Sequence, residues 1–193
     1  PNLPTIPPGW TVTPSISPTS PATLTPTITP TALPQARVGV GDKAFFNGDY
    51  ETALLDYQTA FQDSPDPLVR AAAKWGEARI FFAKERYEDA LASLQTLITE
   101  YPESPHFGQA YFLQGLANYR LENYQAAADS WQSYLTIRPG YLDAYAQEFR
   151  GDALFSTGNF ADALSAYTAA IQAPSISDDI NLDLKVASTQ TKL

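Results

Sequence analysis

The sequence predicts an all-α solenoid of four helix pairs behind an extended leader, and three observations predict it. A six-residue pattern recurs four times in phase, a proline follows each recurrence, and Pro1 to Pro34 carries no charged residue while holding ten of the sixteen prolines. A fixed internal period of this length is the mark of stacked helical units, each unable to bury its apolar face alone.

The leader comes first. Residues 1–36 combine the prolines with nine threonines and three serines. Such a segment cannot complete a helix, and it has too little apolar surface to offset its ordering entropy. It reads as an extended spacer or linker. The chain has no methionine and starts at Pro1, which points to a processed product or a segment of something longer.

The repeat follows. Asp49-Tyr50-Glu51-Thr52-Ala53-Leu54 is echoed by Arg86-Tyr87-Glu88-Asp89-Ala90-Leu91, then by Asn123-Tyr124-Gln125-Ala126-Ala127-Ala128, and then by Asn159-Phe160-Ala161-Asp162-Ala163-Leu164. The aromatic positions Tyr50, Tyr87, Tyr124 and Phe160 are separated by 37, 37 and 36 residues. Four residues beyond Ala53, Ala90, Ala127 and Ala163 stand Tyr57, Leu94, Trp131 and Tyr167, followed three later by Ala60, Leu97, Tyr134 and Ala170. That spacing makes one helical face apolar. Pro65, Pro102, Pro139 and Pro174 then end each second helix.

Each unit also has an upstream first helix with a small residue where two helices would cross closely, at Gly41, Ala78, Gly115 and Gly151. Asp66 before Pro67 and Ser104 before Pro105 are N-cap and first-turn signals that open the first helices of the second and third units. The units fall at about 37–67, 68–105, 106–140 and 141–176. Together these features resemble the tetratricopeptide repeat (TPR) family, over about Pro34 to Pro174. The resemblance implies a right-handed superhelix whose concave surface binds protein or peptide segments. The first helices depart from the family pattern. Arg37, Lys74, Tyr111 and Gln147 stand where it favours tryptophan, and Glu77, Gln114 and Arg150 stand where it favours leucine. Exposure of those last three residues is the expectation, because an unpaired buried charge costs several kcal/mol.

Residues 177–193 look like another first helix. Ser177 can cap it, Asp178 and Asp179 suit its positive end, and Ile180, Leu184 and Ala187 share a face. The segment is either a capping helix or half of a fifth repeat.

Composition narrows the function. A net charge of -9 with no basic run argues against nucleic acid. No apolar run reaches the roughly 20 residues that span a bilayer. With no cysteine and one histidine, neither a thiolate nucleophile nor a cysteine or histidine metal site can be built, and no phosphate loop is present, so no metal or cofactor is expected. His106, in a first turn, reads as a solvated surface residue rather than an acid or base. Asp63 and Asp66 read as turn residues, and Asp178 and Asp179 as helix-dipole partners rather than metal ligands.

The candidate binding set is Phe45, Phe82, Tyr119 and Phe155, recurring at steps of 37, 37 and 36, with Val38, Trp75 and Phe112 seven residues earlier in the first three units. By resemblance these face the concave groove, while the alternative is that they wedge between helices as core. The expectation is a non-enzymatic scaffold for a protein or peptide, with a proline-rich extended segment as one candidate partner. The run Glu100-Tyr101-Pro102-Glu103-Ser104-Pro105 with Ala110-Tyr111 resembles repeats of bacterial cell-envelope TPR lipoproteins, which implies export and an upstream lipid anchor. Arg138-Pro139-Gly140 and Arg150-Gly151-Asp152-Ala153-Leu154 also resemble the helical arm of some lytic transglycosylases, whose catalytic domain would lie outside this chain. A structural subunit of an extracellular assembly is the third reading.

Overall fold

The structure is a computed structural model that describes residues 33–137, 140, 142–173 and 180–193. Pro1 to Ala32, Pro139, Pro174, Ser177, Asp178 and Asp179 lie outside the described residues. Among those described, the regular elements are all helices: α1 (Pro34–Phe46), α2 (Tyr50–Asp63), α3 (Pro67–Ala83), α4 (Tyr87–Glu100), α5 (Phe107–Arg120), α6 (Tyr124–Ile137), α7 (Asp143–Ser156), α8 (Phe160–Gln172) and α9 (Ile180–Gln190). Each helix packs on the next one in the chain.

Every predicted second helix begins at its turn aromatic and ends two residues before its proline. The four turns share one geometry. The N–H of Asp49, Arg86, Asn123 and Asn159 donates to the carbonyl five residues back, on Ala44, Phe81, Asn118 and Leu154, at 2.8 to 2.9 Å. The residue before each donor is left-handed: Gly48 and Gly158 at φ 79°, Glu85 at 57° and Glu122 at 60°. This closure satisfies carbonyls that a helix end would otherwise leave open, and glycine adopts it without steric cost. Asp66 caps α3 as expected, its Oδ1 accepting from the Leu68 N–H at 2.8 Å. Ser104 does not cap α5. Its hydroxyl accepts from the His106 N–H at 3.1 Å, and the helix starts at Phe107.

The repeated alanines Ala53, Ala90, Ala127 and Ala163 are fully buried. The predicted close crossings hold in a size-matched form. A Cβ on Gly41 would stand 2.8 Å from the ring of Tyr57, one on Gly115 2.5 Å from Trp131, and one on Gly151 2.5 Å from Tyr167. Leu94, the one non-aromatic member of that column, shares its core cluster with Ala78. Glycine thus faces a ring and alanine faces leucine, as close packing at constant helix separation requires.

Two expectations are corrected. Glu77 is 4% exposed, not solvated. Its Oε2 accepts from Lys74 Nζ at 2.7 Å and from Ser93 Oγ at 3.2 Å, which compensates burial. Gln114 repeats the plan one unit on, accepting from Ser130 Oγ at 3.2 Å, and Arg150 is half-buried. Among the described side chains of α9, which exclude Ile180, Leu182 and Thr189 are buried and Val186 packs on the core, while Leu184 is 66% exposed and Ala187 is also exposed. The reason is electrostatic. Lys185 Nζ reaches Glu148 Oε1 at 2.6 Å and Asp152 Oδ2 at 2.9 Å on α7, and that anchorage turns Leu184 outward.

Candidate functional site

The first helices α1, α3, α5 and α7 carry the recurring aromatic column, and each member rests on the turn ring of its own pair. Phe45 lies 5.6 Å from Tyr50, Phe82 5.4 Å from Tyr87, Tyr119 5.3 Å from Tyr124 and Phe155 5.1 Å from Phe160, centroid to centroid. These four rings are half-buried. Offset and edge-on pairs at such distances are favourable beyond the area they bury.

What differs along the array is what lies beside the column. Over α1 and α3 a groove of about 360 Å³ opens, lined by Val38, Asp42, Phe45, Phe46, Ala72, Trp75, Arg79 and His106. Three of the seven groove candidates, Val38, Phe45 and Trp75, therefore meet at one opening. Phe112 instead packs on Tyr134 at 5.2 Å and Phe149 at 6.3 Å, and Tyr119 also leans on Trp131 at 6.0 Å. Phe112, Tyr119 and Phe155 lie against the C-terminal core cluster, and Phe82 against the middle one.

One side of the groove is polar and paired. Asp42 Oδ1 accepts from Tyr57 Oη at 2.7 Å and from Arg79 Nη2 at 2.6 Å, and the same Nη2 donates to Tyr57 Oη at 3.0 Å. The Arg79 guanidinium also lies over the rings of Phe45 and Trp75, at 4.6 and 5.8 Å. Burial, then the hydrogen bond to Asp42, raises the Tyr57 phenol well above its ordinary value. At the other end the plan recurs: Tyr167 Oη donates to Asp152 Oδ1 at 2.8 Å, and Lys185 supplies the cation. Burial, then the Asp152 hydrogen bond, raises Tyr167 too. Burial pulls Lys185 down, but the hydrogen bonds to Glu148 and Asp152 leave it above its usual value.

Sequence reasoning missed five groove residues, Ala72 among them. His106 is half-buried rather than solvated. Its ring stacks on Trp75 at 5.6 Å with 10° between planes, and Nδ1 lies 2.9 Å from Gln109 Oε1. Asp42, Phe46 and Arg79 were passed over because only the third dimension joins them. Gly76 was missed although a signal existed, since glycine inside an apolar helix marks close approach. The Tyr57 ring occupies the space a Cβ on Gly76 would need, so Tyr57 is flanked by glycines of both α1 and α3. No helix among the described residues is long and apolar enough to cross a membrane.

Helix pairs closed by one turn geometry and stacked through a shared small-against-large column define an α-solenoid. The family profile described as "Tetratricopeptide repeat" matches residues 41–105, 77–141 and 137–176, and the chain belongs to that family. Human tetratricopeptide repeat protein 12 is 30% identical over 110 residues, which are 53% of this chain and 15% of that protein. The chain thus spans a small part of that relative. Among solved structures, MamA protein superposes with a TM-score of 0.70 at 21% identity, over 82% of this chain and 81% of that one. YrrB, described as a TPR protein with an unusual peptide-binding site, gives 0.66 at 20% identity, over 80% and 75%. At these identities the likeness is one of fold.

Proposed function

We propose that this chain is a non-enzymatic scaffold that grips an extended protein or peptide segment along the face of its first helices. The observation that carries the reading is the groove in which Val38, Phe45, Phe46 and Trp75 meet beside the paired Asp42 and Arg79. Aromatic anchors in a preformed depression supply most of the energy in such contacts. Extended proline-containing segments suit it, because they lose little entropy on docking and lay flat rings on aromatic walls. Membership of a repeat family and the peptide-binding description of YrrB support the class of partner. We further propose an exported, envelope-tethered setting with a lipid anchor upstream. Its support is the charge-free proline- and threonine-rich leader and the lack of cysteine.

The test is an amide-shift map of the full chain titrated with proline-containing peptides. Shifts are expected at Val38, Phe45, Trp75 and His106, with about tenfold weaker binding in Trp75→Ala. Shifts confined to α2, α4, α6 and α8, or unaltered affinity, would remove the groove from the function. Turnover of peptidoglycan by the purified chain would overturn the non-enzymatic reading.

A further inference from the structure

Phe46 is the residue at this groove that the fold does not use. It ends α1 at 89% exposure and yet lines the opening. The same position in the later pairs holds Ala83, Arg120 and Ser156, so the ring has no part in the packing scheme the repeats share. Asp42 lies one helical turn earlier, on the same face. Its side chain is 53% exposed against 28% for Arg79. The two hydrogen bonds it accepts both fall on Oδ1, which leaves Oδ2 to a newcomer. Arg79 is turned down onto Phe45 and Trp75, so the outermost charge of the groove is negative.

The chain around the end of α1, where Phe46 stands, has the same sign. From position 42 to 51 the chain carries Asp42, Asp49 and Glu51 against Lys43. Hydrogen bonds from Thr52 hold the Asp49 carboxyl below the usual range. Phe46 also stands at the C-terminal end of its helix, where the backbone dipole favours a cation. The chain as a whole carries a net charge of -9.

We propose that the groove over α1 and α3 selects, among extended proline-containing peptides, those that carry a lysine or arginine. The aliphatic stem of that residue lies on the Phe46 ring, and its cation meets Oδ2 of Asp42. Long basic side chains suit this pairing because stem and head can be served by different surfaces. A cation near an aromatic face gains further attraction. The proposal rests on the reading of this face as peptide-binding and names the chemistry of what it binds.

Three labelled peptides of equal length, alternating proline with lysine, with glutamine or with glutamate, test it against the full chain by fluorescence anisotropy. The lysine peptide is expected to bind about tenfold tighter than the glutamine one, and the glutamate peptide more weakly than either. Phe46→Ala, at a site too exposed to affect folding, is expected to reduce the lysine preference by about fivefold and to keep the melting curve. Asp42→Asn should remove the preference too, although it also loosens Tyr57 and Arg79. A lysine preference that survives intact in Phe46→Ala would mean diffuse attraction to an acidic protein, and the proposal would fall. Equal binding of all three peptides would also overturn it while leaving the face a peptide-binding one. Failure of all three to bind would overturn both.

Discussion

The first and last thirds of the array solve one packing problem in opposite ways. In both, an aromatic residue of a second helix must fit between its own first helix and that of the next pair. Tyr57 meets glycine on both sides, Gly41 and Gly76. Trp131 meets Gly115 on one side and Phe149, 5.6 Å away, on the other. Phe149 stands in register with Gly76, two steps of 37 and 36 residues on. Where that position is glycine, the aromatic is received flat and a groove remains beside it. Where it is phenylalanine, the rings of Phe112, Phe149, Trp131 and Tyr119 run together and fill the space. One side chain thus decides whether the buried aromatic is met by helix backbone or by another ring.

The filled end should carry the larger single contribution to stability. Trp131→Ala is expected to cost about 3 to 5 kcal/mol, because a fully buried indole leaves a cavity that the surrounding helices close only in part. Denaturant melts read this directly, and a loss below about 1 kcal/mol would mean that Phe149 and Tyr119 collapse into the space and that the two ends pack alike.

The open end should respond to gain of volume rather than loss. Gly76→Ala is expected to destabilise by about 1 to 3 kcal/mol through displacement of the Tyr57 ring. Gly39→Ala, with no atom within 4 Å of a new Cβ, should stabilise by about 0.5 to 1 kcal/mol through helix propensity alone. Equal effects at the two positions would show that the double glycine seat is incidental.

The smallest effect concerns the polar plan that the two ends share, Tyr57 with Asp42 and Arg79, and Tyr167 with Asp152 and Lys185. Each tyrosine-to-phenylalanine change should cost about 0.5 to 1.5 kcal/mol near neutral pH. The alkaline behaviour gives the sign. Both phenols titrate higher in the folded chain than their ordinary value of about 10. Above pH 10 the unfolded chain therefore binds fewer protons, and stability falls as pH rises. Tyr57→Phe with Tyr167→Phe should flatten that decline, and an unchanged slope in thermal melts at high pH would assign it to other groups.

The four-fold phase of Tyr50, Tyr87, Tyr124 and Phe160, the buried alanines and the closing prolines were legible because they are local. Each names a turn, a face or a stop within one helix, and helical spacing converts it to structure without reference to a partner. Glu77 was misread because its charge pointed to solvent at a position where the family favours leucine, whereas Ser93 and Lys74 satisfy it from two directions. Leu184 was misread because residues 180–193 carry apolar side chains on more than one face, and the choice between them fell to Lys185 and its two acids on α7.

The candidate site divides along the same line. The sequence alone determined that aromatic residues recur on every first helix, since recurrence is a property of spacing. Which of them remain open to a partner was decided by tertiary structure, through neighbours remote in sequence. Gly76 makes room for the Tyr57 ring, Phe149 closes the space around Phe112, and His106 stacks on Trp75 from the start of the following pair. A helical period fixes direction, but the volume beside a side chain is set by whatever the next helix brings to it.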